Sequence, residues 1–242
     1  RFLVTVGIIL NSEYLDTYEI QTIINTLNTT DKKVYKIWED SSNKHNIRPT
    51  EITLQLYANG KPVDGKTITI SANNALNGDL SKWVYTFTDL RKTDDEGNEI
   101  IYTVAEVDNL EANYTVTVGD TTNDGSTISQ TITNKEKVGQ ITVTKRVMNY
   151  GADITSSANG TYYFVIKQGN DGYVSSDGSV KAYKDSTCIY SIQTGSYDQA
   201  TYSKTISNLT YGKTYTVIEV DKAGNEIDTS KVNYQITYEN QN

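Results

Sequence analysis

Two sets of three polar residues, each made of a lysine, a glutamate and an asparagine, could react to form a covalent bond. The first set is Lys36, Glu106 and Asn134. An unprotonated lysine amine is a nucleophile, and a positioned glutamate can give and take protons. The carbonyl carbon of a carboxamide is an electrophile. These side chains could therefore form an amide between lysine and asparagine, with release of ammonia and without a metal or cofactor.

The second set is Lys145, Glu219 and Asn240. Its spacing resembles that of the first, with 70 residues from Lys36 to Glu106 and 74 from Lys145 to Glu219. Asn242 is two residues beyond Asn240, so both would point to the same face of a strand, and Asn242 is an alternative acceptor. A repeated lysine-to-glutamate spacing favours a shared chemical role over a chance pair of buried charges.

The local pattern around each set predicts that all these side chains point into a protein core. Successive residues of a strand point to opposite faces, so Lys36 shares a face with Val34 and Trp38. Asn134 likewise shares a face with Ile132. The other members follow the same rule: Glu106 with Tyr102 and Val104, Lys145 with Val143 and Val147, Glu219 with Tyr215 and Val217, and Asn240 with Tyr238.

Burial would prepare these groups for reaction. Desolvation lowers the pKa of a buried lysine and raises the pKa of a buried glutamate. Unprotonated Lys36 would then attack the side-chain carbonyl carbon of Asn134, while Glu106 polarises the carboxamide and shuttles protons to the departing nitrogen. We expect one isopeptide bond per module, which is a maturation step and not enzymatic turnover. The alternative is that each set is only a buried ion pair with an asparagine partner.

Alternating apolar segments separated by turn dipeptides predict an all-β protein. Asn59-Gly60 and Asp124-Gly125 are two of many pairs that supply the positive φ angles of hairpin turns. Large apolar residues stand at every second position in Trp83-Tyr85-Phe87 and in Tyr162-Phe164-Ile166. Period-two alternation with closely spaced turns is typical of an antiparallel sandwich. We therefore predict tandem immunoglobulin-like β-sandwiches.

An internal repeat indicates two complete modules. The stretches 85–90 and 101–108 return as 204–209 and 214–221, including a Tyr-Thr-Val-x-Glu-Val-Asp segment in both copies. We predict one module over residues 31–137 and a second over 138–242. Residues 1–30 fit neither module. Tyr18-Glu19-Ile20 and Ile23–Thr26 are either the closing strands of a truncated upstream module or part of an N-terminal extension, and we expect the chain to be a fragment of a longer protein.

Composition excludes several other functions. The net charge of −8 provides no basic surface for nucleic acid or for anionic membrane, and no apolar run is long enough to insert into a membrane. Cys188 is the only cysteine, so no intrachain disulfide can form, and we expect it to be a small buried apolar residue. A single histidine, His45, argues against histidine-based metal sites and triads. The acidic stretch 94–99 is predicted to be a solvated hairpin turn, so no metal site is expected.

Several segments of the first module resemble the Cna B-type repeat of collagen-adhesin stalks. They are Lys36–Asp40, Arg48-Pro49, Thr53–Gly60, Trp83–Phe87 and Tyr102–Glu106. The resemblance is close over 32–136. Residues 139–242 are similar to a more pilin-like form of the same family, mainly at Thr144-Lys145, at 213–220 and in the last strand. Tyr238-Glu239-Asn240 departs from the family, in which Thr-Asn is more usual at this point.

The resemblance implies isopeptide lysine, glutamate and asparagine residues at the positions already derived. It also implies a structural, non-enzymatic role as stalk or pilus-shaft modules on the cell wall of a Gram-positive bacterium, outside the cell. The expected partners are neighbouring modules of the same surface protein or pilus, with host extracellular matrix as a second class. The competing interpretation is a ligand-binding adhesin domain that recognises a host protein or glycan.

Overall fold

The computed structural model describes residues 28–239, except Ser126, Ser196 and Tyr197. The predicted closing strands within residues 1–27 lie outside the described part of the chain. Asn240 and its alternative Asn242 lie outside it as well.

The described chain is built almost entirely of strands, so the prediction of an all-β protein is confirmed. The first half has one 3₁₀ turn, Ala72–Asn74, and nine strands: β1 (Thr29–Glu39), β2 (Glu51–Ala58), β3 (Lys61–Ser71), β4 (Ala75–Leu76), β5 (Asp79–Arg91), β6 (Tyr102–Glu106), β7 (Tyr114–Val118), β8 (Thr122–Asn123) and β9 (Thr127–Glu136).

The second half follows after Lys137 and has 3₁₀ turns at Ser186–Cys188 and Gln199–Tyr202. Its nine strands are β10 (Val138–Thr144), β11 (Met148–Asn149), β12 (Ala152–Asp153), β13 (Gly160–Gln168), β14 (Gly172–Val174), β15 (Val180–Lys181), β16 (Tyr190–Thr194), β17 (Ser203–Thr210) and β18 (Tyr215–Val220).

Two sheets face each other in the first half and enclose one apolar core. One sheet has the order β4-β5-β1-β9-β7, with β8 also paired to β9, and the other has the order β3-β2-β6. β1 pairs antiparallel with β5 and parallel with β9. Val34, Trp38 and Ile132 from the first sheet pack in one cluster with Leu54 and Val104 from the second. β1 and β9, near the two ends of this half, are therefore neighbours in its centre.

The second half has a similar arrangement with one difference beside β10. β13 pairs with β16 near its start, with β14 near its end and with β18 along most of its length, while β10 pairs with β17. Phe164 and Ile166 of β13 pack in a cluster that includes Ile206, with Ile141 and Val143 of β10 against it. Within the described residues, β10 has no partner equivalent to β9. The predicted closing strand is not formed at Tyr238 and Glu239, which follow the last described strand as irregular backbone.

Two smaller predictions are confirmed. Cys188 is fully buried and is a free thiol. The acidic stretch is a hydrogen-bonded turn, in which the backbone N–H groups of Glu96 and Asn98 donate to Oδ1 of Asp94. Among the described residues, no helix is long and apolar enough to cross a membrane.

Candidate covalent cross-link site

Lys36 is held in the middle of the first module by pairing on both sides of β1. Its backbone lies opposite Trp83 of β5 and Ile132 of β9. The alternation of β1 turns its side chain inward with Val34 and Trp38, and Lys36 is fully buried. The prediction that this lysine points into the core is confirmed.

Asn134 approaches the same region from β9. It lies two residues beyond Ile132, on the same face of the strand, and it is fully buried. Its Nδ2 donates a hydrogen bond of 3.0 Å to Oε1 of Glu106. Its Oδ1 has no hydrogen-bond partner among the described residues. An unsatisfied buried carbonyl is uncommon and costly, so this carboxamide is a candidate reactive group.

Glu106 reaches the two other residues from the opposite sheet. It ends β6, opposite Leu54 of β2, and only 2% of its side chain is exposed. Oε2 lies 3.2 Å from Nζ of Lys36, while Oε1 accepts the bond from Asn134. The ion pair does not meet hydrogen-bond geometry, since Nζ and Oε2 both lack a hydrogen-bond partner. One carboxyl group thus contacts both the amine and the carboxamide.

The surroundings of Lys36 favour a neutral amine. Burial lowers the pKa of Lys36 to about 8, although Glu106 acts in the opposite direction. The Arg48 guanidinium also lowers this pKa. The amine lies 4.5 Å from the centre of the Trp38 ring. A substantial fraction of the amine is therefore unprotonated in mildly alkaline solution.

Asp40, Arg48 and Tyr114 form a network beside the site that sequence reasoning did not identify as functional. Arg48 donates from Nε and Nη2 to the two oxygens of Asp40, at 2.8 and 2.5 Å. Burial raises the pKa of Asp40, but the hydrogen bonds from Arg48 outweigh this and keep the pKa below its usual value. The Tyr114 hydroxyl donates to Asp40 at 3.4 Å. The guanidinium lies 5.4 Å from the Trp38 ring centre, so the network supports the ring beside Lys36.

The burial of Lys36 predicts a pH-dependent stability when its amine is free. In an Asn134→Ala variant the amine has no acceptor, and its folded-state pKa of about 8 lies below the ordinary 10.5. The unfolded chain then binds more protons, so stability rises with pH between about 8 and 10.5. We expect the free energy of unfolding of this variant to rise by on the order of 3 kcal/mol over this pH range, because each pKa unit corresponds to about 1.36 kcal/mol. Urea unfolding at several pH values measures it.

The matched control is the Lys36→Met/Asn134→Ala double variant, which retains every other titratable group. Subtracting its pH profile removes the contribution of the other buried lysine, Lys32. A flat difference between the two profiles over this range would contradict a depressed pKa at Lys36.

The second lysine and glutamate also meet, but in a more open setting. Nζ of Lys145 donates a hydrogen bond of 2.8 Å to Oε2 of Glu219, and the side chains are 22% and 11% exposed. Lys145 lies one residue beyond the end of β10, and Glu219 lies on β18. The Tyr162 ring centre is 4.5 Å from the amine. The sequence predicts that Lys145 points into the core, and within the described residues its side chain is only partly buried.

The segment before the predicted second acceptor lies close to this pair. The backbone N–H of Glu219 donates to the Tyr238 hydroxyl at 3.0 Å. Arg146 Nη1 is 4.0 Å from Oε2 of Glu239. Asn240 follows directly in the sequence but lies outside the described residues, so its role stays a prediction.

The fold and the site define a β-sandwich module with a buried lysine, glutamate and asparagine in contact. Residues 32–135 match the family described as the Cna protein B-type domain. Over these residues the chain is similar to Cna protein B-type domains, which are structural modules.

Similar proteins come from surface structures of Gram-positive bacteria. The collagen adhesin of Staphylococcus aureus is 34% identical over 118 residues, which are 49% of this chain and 8% of that protein. The chain thus spans a small part of this relative.

Two solved structures show lower similarity. A single B repeat unit (B1) of the S. aureus collagen-binding surface protein is 24% identical over 81% of this chain and 88% of that one, with a TM-score of 0.32. The major pilin T-13 of Streptococcus pyogenes is 14% identical over 81% and 82% of the two chains, with a TM-score of 0.42.

Proposed function

We propose that this chain is part of a structural stalk or pilus shaft on the surface of a Gram-positive bacterium, and that each module is closed by an autocatalytic Lys–Asn isopeptide bond. The observation that carries the proposal is the Glu106 carboxyl group, which contacts the Lys36 amine and the Asn134 carboxamide inside the core. The Cna B-type match over 32–135 supports a surface adhesin or pilus context. Neighbouring modules of the same protein are the expected partners, outside the cell at its wall.

The first bond forms in one sequence of proton transfers. The neutral Lys36 amine attacks the side-chain carbonyl carbon of Asn134, which carries no competing hydrogen bond on its oxygen. Glu106 hydrogen-bonds the carboxamide and polarises it. The proton that the attacking nitrogen loses passes through Glu106 to the departing nitrogen. Ammonia leaves, and an amide joins Lys36 to Asn134.

The reaction needs no cofactor because the fold holds the three reacting side chains in position. Lys36 and Asn134 lie on neighbouring strands of one sheet, and Glu106 lies on the facing sheet. Fixing reactive groups in this way replaces a bimolecular encounter and is worth about 7–11 kcal/mol of barrier in favourable cases. Burial contributes by keeping part of the amine neutral.

The location of the bond suits a module under tension. β1 and β9 are parallel neighbours, so force applied at the ends of the first module shears one strand against the other. A covalent bond between these strands carries that force directly. Unlike a disulfide, an amide is not reduced by thiols, and the chain has a single cysteine.

The second module uses Lys145, Glu219 and Asn240 in the same roles, with Asn242 as the alternative acceptor. The hydrogen bond between Lys145 and Glu219 and the proximity of Tyr238 to Glu219 support this assignment. Docking of the last residues beside β10 would bring the acceptor to the amine and cover the pair.

A second candidate function is adhesion through a host protein or glycan. Exposed tyrosines favour it, since Tyr150 and Tyr183 are almost completely accessible on the second half of the chain. Binding of the purified chain to immobilised extracellular-matrix proteins, compared with a Tyr150→Ser/Tyr183→Ser variant, tests it. Equal binding by the two proteins would exclude these tyrosines as the binding surface, and no binding by either would argue for the stalk role alone.

The intact mass of the purified chain tests the bonds. We expect a mass short by two ammonias from these two sites. In Lys36→Ala and in Lys145→Ala the deficit should fall to one ammonia, because each variant lacks one nucleophile. High-resolution mass spectrometry under denaturing conditions makes the measurement. A full mass for the unmodified chain would exclude both bonds.

Glu106→Gln is the control for the proton shuttle. Glutamine retains the size of the side chain and its hydrogen-bonding capacity but does not exchange protons as a carboxyl group does. We expect this variant to fold and to recover one ammonia although Lys36 and Asn134 are both present. An unchanged deficit would show that Glu106 is not the shuttle.

A further inference from the structure

β1 and β9 place a lysine and a carboxamide residue in the same register twice, and the proposed function uses only one of these pairs. Lys36 lies opposite Ile132, with Asn134 two residues further along β9. Four residues earlier on both strands, Lys32 lies opposite Ile128, with Gln130 two residues further along β9. The parallel register therefore repeats the relation between the two side chains.

Lys32 is a buried amine without a counter-charge. It is fully buried in the described structure, and no carboxylate among the described residues lies within ion-pair distance of it. Nζ contacts the Thr121 hydroxyl at 3.3 Å. Burial lowers the pKa of Lys32 to about 8, so part of this amine is also neutral. A buried lysine without an ion pair is costly, and packing alone does not explain it.

Gln130 presents a polarised carboxamide on the same inward face. Only 4% of the residue is exposed. Its Oε1 accepts a hydrogen bond of 2.9 Å from the backbone N–H of Val104, on the facing sheet. A fixed backbone N–H directed at a carbonyl oxygen is the arrangement that stabilises the oxyanion formed when a nucleophile attacks.

We propose that Lys32 and Gln130 form a second isopeptide bond in the first module. The Lys32 nitrogen attacks Cδ of Gln130, and the negative charge on Oε1 is held by the N–H of Val104. The nitrogen then loses a proton to the Thr121 hydroxyl, which passes one to the departing Nε2. The Cδ–Nε2 bond breaks, ammonia leaves, and a γ-glutamyl-lysine amide remains.

This bond differs from the first in its proton transfer and therefore in its rate. The residue four positions before Glu106 on β6 is Tyr102, whose hydroxyl donates to the backbone oxygen of Arg91. No carboxyl group of the described residues replaces Glu106 here. A hydroxyl relay is a weaker acid–base catalyst than a carboxyl group near its pKa. The bond consequently forms more slowly and accumulates as the folded protein ages at alkaline pH.

Mass spectrometry of the full chain, incubated at pH 9 and at pH 6, tests the proposal. We expect the unmodified chain at pH 9 to accumulate a species short by one more ammonia than Lys32→Met or Gln130→Met treated in the same way. Methionine approximates the size of both side chains, and each variant lacks one reacting group. Incubation at pH 6 should slow the change, because more of the amine is protonated.

Fragment ions of the tryptic digest locate the bond independently of either variant. A link on Lys32 is distinguished from one on Lys36, so failure of the Lys36–Asn134 bond does not affect this result. A digest of the pH 9 sample in which Lys32 is cleaved normally and Gln130 is unlinked would overturn the proposal. An equal ammonia deficit in the unmodified chain and in folded Gln130→Met would do the same.

Discussion

Asn134→Ala is expected to lower the free energy of unfolding of the first module by about 4–5 kcal/mol, the chain-entropy contribution of a cross-link that closes a loop of ~100 residues. The cross-link restricts the unfolded chain between Lys36 and Asn134, and alanine removes the acceptor. Such a loss lowers the melting temperature by roughly 20 °C or more for a domain of this size. Differential scanning calorimetry measures the shift.

Two variants separate the bond from the loss of a side chain. Asn98→Ala removes one exposed amide, which donates to Asp94, and should cost no more than about 1 kcal/mol. Lys36→Met retains most of the buried volume but removes the nucleophile, so it should also lose the contribution of the cross-link, without the pH-dependent cost of a free buried amine. If Asn134→Ala melts within a few degrees of the unmodified chain, the bond is absent or does not stabilise the fold.

Stretching single molecules from their ends should show no unfolding step for the first module. The bond between β1 and β9 shields all residues between Lys36 and Asn134 from the applied force. In Lys36→Met those residues become extensible, and we expect a new step of about 330 Å at roughly 3.3–3.6 Å per residue. Force spectroscopy of the chain between two reference domains measures the step.

The second module is an internal control for this experiment. Lys145→Met should leave the first module inextensible and release only residues of the second. A step of the full length in the unmodified chain, at forces similar to those of Lys36→Met, would contradict the proposed route of force through the bond.

Local sequence patterns were sufficient for the fold class and for much of the first site. The alternation of Val34, Lys36 and Trp38 predicts a shared inward face, because the side-chain period of a strand is two. The same rule places Asn134 with Ile132, and the repeat of the glutamate-bearing segment identifies Glu106. Burial of Lys36 and Asn134 confirms these local predictions, while the bond between them stays a prediction.

The face that each residue occupies could therefore be predicted from the sequence, since it depends only on near neighbours in the chain. The tertiary structure alone decided which strands are adjacent, because pairing joins residues far apart in sequence. The parallel register of β1 and β9 set Lys32 near Gln130 as well as Lys36 near Asn134. In the second half the strand arrangement leaves Lys145 partly exposed, because within the described residues no strand covers the edge of β10 beside it.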